Sequence, residues 1–129
     1  MNAAVSYNEA LRRRFADPQH AGDLQGTFER TLVVDVSDSD KGPHIVMAAG
    51  VRDDSIAEIT FRAWGCPHLI AALESVCERL LGQPAASLEN CDLADITQDL
   101  SVPAEKMGRI LLVEDALATL WAQYVSAKT

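Results

Sequence analysis

The apolar residues of the chain change their spacing at Gly65, and no other feature of the sequence constrains the fold as strongly. Before Gly65, segments rich in β-branched or alternating apolar residues are separated by short polar turns, which predicts strands over residues 27–36, 45–51 and 56–63. After it, apolar residues recur every three or four positions up to Gly82, a spacing typical of an amphipathic helix. This order predicts an α+β fold, an antiparallel three-stranded sheet with helices packed on one face.

Further helices are predicted on either side of these elements. Residues 6–16 carry apolar side chains at every fourth position and form the N-terminal helix. Residues 87–99 are typical of one or two short helical turns, and Pro103 opens the last helix. A chain of 129 residues has room for one sizeable core, so we expect a single domain over residues 1–129.

The charge balance limits the classes of partner. The chain carries 11 basic and 19 acidic residues, a net charge of −8. This charge disfavours nucleic acid and anionic membranes as partners, because both bind basic surfaces, and it favours a basic protein surface. No apolar run is long enough to cross a bilayer and no secretory signal opens the chain, so we expect a cytoplasmic protein.

The strongest candidate for chemistry is Cys66. Gly65 permits a sharp reversal between strand and helix, and Pro67 suits the first helical position because it lacks an N–H group. Cys66 is therefore predicted at the N-cap, where the helix dipole and unpaired N–H groups favour the thiolate. A thiolate binds soft metals or accepts a sulfur atom. The alternative is a small buried residue at a helix start.

The other cysteines give weaker signals. Cys77 lies on the apolar stripe of the predicted helix and is interpreted as core, too far along the helix from Cys66 to share a metal. Cys91 stands in a polar stretch, where it is either reactive or inert. The sequence contains neither C-x-x-C nor H-E-x-x-H, so no conventional zinc site is encoded locally.

Two histidines are candidate metal ligands. His44 follows the polar turn between the first two strands, and His68 lies two residues beyond Cys66, so both are expected at one end of the sheet. The alternative for each is a surface residue or a histidine with satisfied hydrogen bonds. No glycine-rich phosphate loop and no serine–histidine–acid arrangement is found, which excludes a hydrolase or nucleotide-binding interpretation.

A series of short motifs runs along the chain from the first helix to the last. It consists of Tyr7-Asn8-Glu9 through Pro18 and Gly22, then Phe61-Arg62-Ala63-Trp64-Gly65-Cys66, Ile70-Ala71 with Gly82, Val102-Pro103-Ala104-Glu105-Lys106 and Leu111-Leu112-Val113-Glu114-Asp115-Ala116. Their order and spacing resemble the iron–sulfur cluster scaffold proteins of the NifU/IscU type. The resemblance runs without a gap from about residue 45 to the C-terminus.

The resemblance implies a SufE/NifU-like fold and a scaffold or carrier protein rather than an enzyme. It implies iron or an iron–sulfur cluster as cargo, with zinc as a substitute. The partners it implies are a cysteine desulfurase, apo iron–sulfur proteins and a second copy of the chain in a homodimer. Residues 102–106 fall where the family docks a chaperone.

The resemblance also implies a ligand set. The family has three cysteines, an acidic residue and a histidine, and only Cys66 is retained here. The first family cysteine falls in the turn that contains Asp40, and the third falls on Gly108-Arg109. The metal ligands are then predicted to be Cys66, Asp40, His44 and His68. Arg109 is expected to modulate the site, because its charge repels a cation and attracts a carboxylate or thiolate.

Three functions remain open from the sequence. The first is a divergent cluster-assembly protein that binds iron or a cluster through Cys66 with an atypical ligand set. The second is a sulfur carrier, in which Cys66 accepts sulfur from a desulfurase. The third is a cofactor-free adaptor that retains the fold and the partner surface, since a fold does not by itself determine function.

Overall fold

The protein is represented by a computed structural model that describes residues 7–39 and 42–128. In chain order its elements are helix α1 (Glu9–Ala16), strands β1 (Arg30–Ser37), β2 (His44–Arg52) and β3 (Ser55–Trp64), helix α2 (Pro67–Leu80), a 3-10 turn (Ala85–Leu88), helix α3 (Leu93–Asp99), a second 3-10 turn (Ala104–Lys106) and helix α4 (Met107–Lys128).

The three strands form one antiparallel sheet in the order β1-β2-β3. In β1, the side chains of Leu32 and Val34 are buried, whereas those of Val33 and Asp35, which alternate with them, are exposed. This is the period of two expected for a strand with one covered face. Helices α2 and α4 pack against the covered face, α2 on β3 and α4 on β1 and β2. The predicted α+β fold, with a three-stranded meander followed by helices on one sheet face, is confirmed.

Helix α2 lies inside the molecule rather than on its surface. Its buried residues include Leu69, Leu73 and Val76, and Cys77 is fully buried among them, which confirms Cys77 as core. The helix contacts α1, α3 and α4 as well as β3. It ends at Leu80, and Gly82 follows with φ +82, a left-handed conformation that glycine adopts without strain.

The ends of the predicted helices differ in detail from the structure. Helix α1 begins at Glu9, because the Asn8 side chain caps it by accepting a hydrogen bond from the Leu11 N–H; residue 6 lies outside the described residues. Phe15, predicted on the apolar stripe, is 43% exposed. Pro103 caps a 3-10 turn that leads into α4 instead of starting α4 itself.

The first strand begins at Arg30, three residues later than the predicted range of 27–36. Residues 22–28 lie across the open face of the sheet, where Glu58 accepts hydrogen bonds from the Gln25 and Gly26 N–H groups. The Phe28 ring is covered by the Arg52 guanidinium at 4.6 Å. Phe28 therefore serves as a packing residue of the preceding loop, and regular pairing of β1 starts only at Arg30.

No helix of the described part of the chain combines the length and apolar character needed to cross a membrane.

Gly50 in β2 provides a test of this loop packing. A Cβ atom at position 50 would overlap the Phe28 ring, so Gly50→Ala is expected to lower the free energy of unfolding by about 1–3 kcal/mol. Gly108→Ala is the matched control, because a Cβ there meets nothing within 4 Å and replacing a helical glycine stabilises by up to about 1 kcal/mol. Urea denaturation measures both changes, and equal midpoints for Gly50→Ala and the native chain would contradict the packing described.

Candidate functional site

Cys66 occupies the junction between β3 and α2. It is the N-cap of α2 with extended backbone angles (φ −80, ψ 167), and Pro67 follows in the first turn. Its carbonyl accepts hydrogen bonds from the N–H groups of Leu69 at 3.0 Å and Ile70 at 3.3 Å. The thiol itself makes no capping hydrogen bond and is half-buried. The sulfur thus stands at the amino end of a fourteen-residue helix, partly accessible to solvent.

The turn between β1 and β2 reaches the same junction. A Cβ atom at Gly65 would lie 2.6 Å from Leu69 Cδ2 and 3.6 Å from Pro43 Cβ. A side chain at position 65 would therefore have to displace the buried Leu69 side chain, and glycine allows the helix start to pack closely against the strand end. The proximity of Pro43 also means that the residue directly before β2 borders the site.

His44 lies at this end of the sheet but has a partner of its own. It is paired with Trp64 across β2 and β3, and the two rings stack with centroids 5.0 Å apart. Its Nε2 is 2.5 Å from Asp35 Oδ1. His44 is therefore adjacent to the junction through Trp64, and one of its two ring nitrogens is already engaged.

His68 is buried, with 8% of its surface exposed, and its ring meets the Tyr7 ring edge-on at 5.3 Å. Burial lowers the pKa of His68, and the positive charges of Lys106 and Arg109 lower it further, while Glu105 opposes them. The imidazole is thus uncharged at neutral pH. Its Nδ1 has no hydrogen-bond partner among the described residues.

Arg109 approaches this histidine from the first turns of α4. The residue is half-buried, and its Nε is enclosed without a partner in the part of the chain that the structure describes. Asp40, the fourth predicted ligand, lies outside the described residues. Across residues 7–39 and 42–128, no group of three or more histidine, cysteine, aspartate or glutamate side chains is arranged to hold a metal ion.

The sequence reasoning missed a groove next to the junction of β3 and α2, although Cys66 is not part of its lining. It has a volume of about 420 Å³ and is lined by Pro18, Ala21, Phe61 and Ala63, with the 54% exposed Trp64 at its end. The sequence contains an indication of this groove, because Trp64 is the last residue of β3 and directly precedes Gly65-Cys66. An exposed tryptophan beside a concave apolar surface is typical of a binding region.

The sequence also missed the structural role of His20. Glu74, buried in α2 with 1% exposure, accepts hydrogen bonds from the His20 main-chain N–H at 2.9 Å and pairs with its Nδ1 at 2.7 Å. The His20 carbonyl then accepts from the Phe61 N–H, and the Phe61 carbonyl accepts from the Gly22 N–H. The buried carboxyl thereby holds the loop of residues 18–22 against the edge of β3, which forms one wall of the groove.

The remaining two thiols differ from Cys66 in their surroundings. Cys77 is fully buried, and burial raises its pKa well above the ordinary value, with the negative charges of Glu74 and Glu78 adding to the effect. Cys91 is half-buried; desolvation raises its pKa and the charge of Arg79 partly opposes this. Neither environment favours a reactive thiolate.

The chain matches the family model described as NifU-like N terminal domain over residues 6–129. Curated relatives include the iron–sulfur cluster assembly scaffold protein IscU of Escherichia coli K12, 25% identical over 125 residues that cover 96% of this chain and 98% of that protein. The iron–sulfur cluster assembly protein IscU of Plasmodium falciparum is 25% identical over 116 residues, 90% of this chain and 72% of the relative.

Solved structures share the fold. A putative iron–sulfur cluster assembly scaffold protein for the SUF system from Fervidobacterium islandicum superposes with a TM-score of 0.69 at 14% identity, covering 93% of this chain and 99% of that one. A NifU-like protein (N-terminal) from Brucella abortus gives a TM-score of 0.66 at 15% identity, covering 90% and 92%. At these identities the likeness supports the fold alone.

The three cysteines are expected to react with an alkylating reagent in the order Cys66, Cys91, Cys77. Cys66 stands at the accessible junction, desolvation keeps Cys91 protonated, and Cys77 becomes accessible only when the core opens. Iodoacetamide labelling of the folded protein at neutral pH, followed by peptide mass spectrometry, measures the three rates. Labelling in denaturant serves as the control, because it equalises access; Cys91 or Cys77 reacting first in the folded protein contradicts the assignment.

Proposed function

The chain belongs to the family of NifU-like N-terminal domains, and from this premise we propose that it takes part in iron–sulfur cluster assembly through the thiol of Cys66. The observation that carries the proposal is the position of this thiol, half-exposed and without a capping hydrogen bond at the amino end of α2, within the fold of the family. The relatives that are named as cluster assembly scaffolds support the process.

The amino end of a long helix attracts negative charge, because its N–H groups are unpaired and its dipole points positive end outwards. A thiolate is the ligand that iron–sulfur clusters require, and it is also the nucleophile that accepts sulfur. Cys66 is suited to both tasks by its place in the fold, whereas Cys77 and Cys91 are withdrawn into their surroundings.

The cargo requires more ligands than the described residues of one chain bring together. Clusters are normally held by four thiolates, whereas Cys66 is the one thiol at this junction, His44 is engaged by Asp35, and His68 is buried. We therefore propose that Cys66 anchors iron or a nascent cluster, and that a second copy of the chain or an apo iron–sulfur protein completes the ligand set. Asp40 and one nitrogen each of His44 and His68 remain proposed additional ligands for iron, or for zinc in its place.

Arg109 favours a second candidate, the acceptance of sulfur. The charge of Arg109 reaches His68, two residues from Cys66, and a guanidinium there disfavours a bound cation and stabilises an anion such as a persulfide. In this step the Cys66 thiolate attacks the terminal sulfur of a persulfide on the donor's cysteine. The new sulfur–sulfur bond to Cys66 forms as the donor's bond breaks, and the donor cysteine leaves as a thiolate without net oxidation. We propose a cysteine desulfurase as the donor.

On either mechanism we propose that the protein acts in the cytoplasm as a scaffold or carrier rather than as an enzyme. It delivers its cargo to another protein and is itself returned to the free thiol. Residues 102–106 are proposed as an additional docking segment for a chaperone, since they include the 3-10 turn in front of α4, in which Ala104 and Glu105 are exposed.

Anaerobic reconstitution with ferrous iron and sulfide tests the proposed function. The native chain is expected to develop visible charge-transfer absorbance, and Cys66→Ser is expected to lose nearly all of it, because a hydroxyl is a poor ligand for iron in a cluster. Cys91→Ser is the matched control and retains the absorbance.

Incubation with a cysteine desulfurase and L-cysteine forms the second arm of this experiment. Mass spectrometry is expected to find one added sulfur atom on the Cys66 peptide if the chain acts as a sulfur acceptor. Absorbance that persists in Cys66→Ser overturns the anchoring role of this thiol. The absence of both signals in the native chain leaves only the cofactor-free adaptor.

Arg109→Cys is expected to strengthen cluster retention. The change removes a cation from the site and adds a soft ligand at the position that resembles the third cysteine of the family. Arg109→Ala is the control, because it removes the charge without adding a thiol. Bound iron and sulfide per chain, followed during challenge with a chelator, should decay several-fold more slowly in Arg109→Cys than in Arg109→Ala; equal decay would place residue 109 outside the cluster site.

A further inference from the structure

Only some of the main-chain hydrogen-bonding groups on the outer edge of β1 have partners. Val33 at its centre donates its N–H to the Gln123 side-chain oxygen at 3.1 Å, and its carbonyl accepts from the Gln123 amide at 2.7 Å. Main-chain groups that point away from the neighbouring strand recur at every second residue of an antiparallel pair. The N–H and C=O groups of Asp35 and Ser37 therefore point outwards as well. Within residues 7–39 and 42–128 they have no hydrogen-bond partner on that side.

A groove runs along this unsatisfied part of the edge, and we name it the edge groove. It has a volume of about 620 Å³ between β1 and α4, and its lining includes Asp35 and Ser37 on one side and Asp115, Ala118 and Ala122 on the other. The α4 residues of the lining are spaced three or four apart, so they lie on one face of the helix. The alanines leave space beside the strand for another extended backbone.

The charge of the edge groove selects the kind of peptide. Its lining includes two acidic residues, Asp115 and Asp35, of which Asp35 is already paired through Oδ1 with His44, and no lysine or arginine. The Asp115 side chain forms no ion pair within the described residues. The net charge of the whole chain, −8, adds a long-range attraction for basic segments.

From these observations we propose that the edge groove binds an extended, lysine- or arginine-bearing peptide segment of a partner protein, which adds a short strand to β1. The Asp35 and Ser37 main chain supplies the strand pairing, and the Asp115 carboxylate selects basic side chains. Main-chain pairing combined with side-chain selection is how sheet edges commonly recognise peptides. Gln123 already forms at Val33 the pair of hydrogen bonds that the peptide would repeat at Asp35. The proposal does not depend on the chemistry of Cys66.

Fluorescence anisotropy with synthetic peptides tests this proposal on the full chain. The probe is a labelled octapeptide in which lysine alternates with valine and threonine. The native chain is expected to bind it, and to bind both a glutamate-for-lysine twin and a twin with N-methylated alternate amides far more weakly. Binding of the N-methylated twin with equal affinity overturns the strand pairing, and binding of the glutamate twin with equal affinity overturns the charge selection.

Variants of the protein test whether the peptide binds in the edge groove. Asp115→Lys is expected to weaken binding by about fivefold or more at low salt, whereas Glu114→Lys, its neighbour with the same change in charge, has a smaller effect. Ala122→Phe fills the edge groove and should abolish binding, whereas Ala127→Phe, also exposed on α4, should not. Circular dichroism confirms that each variant folds, and Asp115→Lys keeps the proposal testable if Ala122→Phe does not.

Two further outcomes distinguish this proposal from the cluster function of Cys66 and from a dimer interface. Cys66→Ser should bind the peptide as the native chain does, so failure of the cluster experiments leaves this result unaffected. If sedimentation instead detects a dimer that Ala122→Phe disrupts and the lysine peptide does not bind, the edge groove is an interface between copies of the chain and the peptide proposal is wrong.

Discussion

The enclosure of α2 is the constraint on which the rest of the structure depends. Helix α1, strand β3 and helices α3 and α4 all pack against it, and its side chains are buried from His68 to Leu80 with few exceptions. A helix covered on so many sides keeps access to solvent mainly at its ends. Its amino end emerges where β3 stops, and Cys66 is the residue found there. The position of the thiol is thus a consequence of how the core is built.

The enclosure of α2 also affects which segments cover the edges of the sheet. A buried carboxyl such as Glu74 is costly unless it is paired, and removing the partner of a buried ion pair costs about 3–5 kcal/mol. Its partner His20 brings the loop of residues 18–22 against β3, but this pairing stops at Gly22. On the opposite edge, Gln123 satisfies β1 only at Val33. Both edges are therefore closed near the middle of the sheet and less covered towards the end that carries Cys66.

The elements that depend on local periodicity could be predicted from the sequence, and those that depend on contacts across the fold could not. The strand-to-helix change at Gly65 placed Cys66 at the N-cap, because glycine and proline act through their own backbone geometry. By contrast, Phe28 lies in a segment with the composition of a strand, but it precedes the paired residues of β1, and its packing against Gly50 is a contact that this composition does not reveal.

The histidines illustrate the same limit. The pairing of His44 with Asp35 follows from the register of β1 and β2, which no single segment reveals. Likewise, His68 was expected near the polar turn, but the charges that act on it come from the start of α4. The ligand role of both, and that of Asp40 outside the described residues, stays a prediction.

The charges along α4 are separated in a way that can orient two different ligands. Arg109 in its first turns and Lys106 in the 3-10 turn before it both act on His68, whereas Asp115 lines the edge groove. Six helical residues separate Arg109 from Asp115, a rise of about 9 Å, which is close to the Debye length of about 8 Å at physiological ionic strength. An anionic sulfur species at the amino end and a basic peptide in the groove would consequently each experience mainly the charge of its own patch. The placement of the two patches would favour one orientation of a partner that carries both ligands, because reversing it would bring like charges together at both patches.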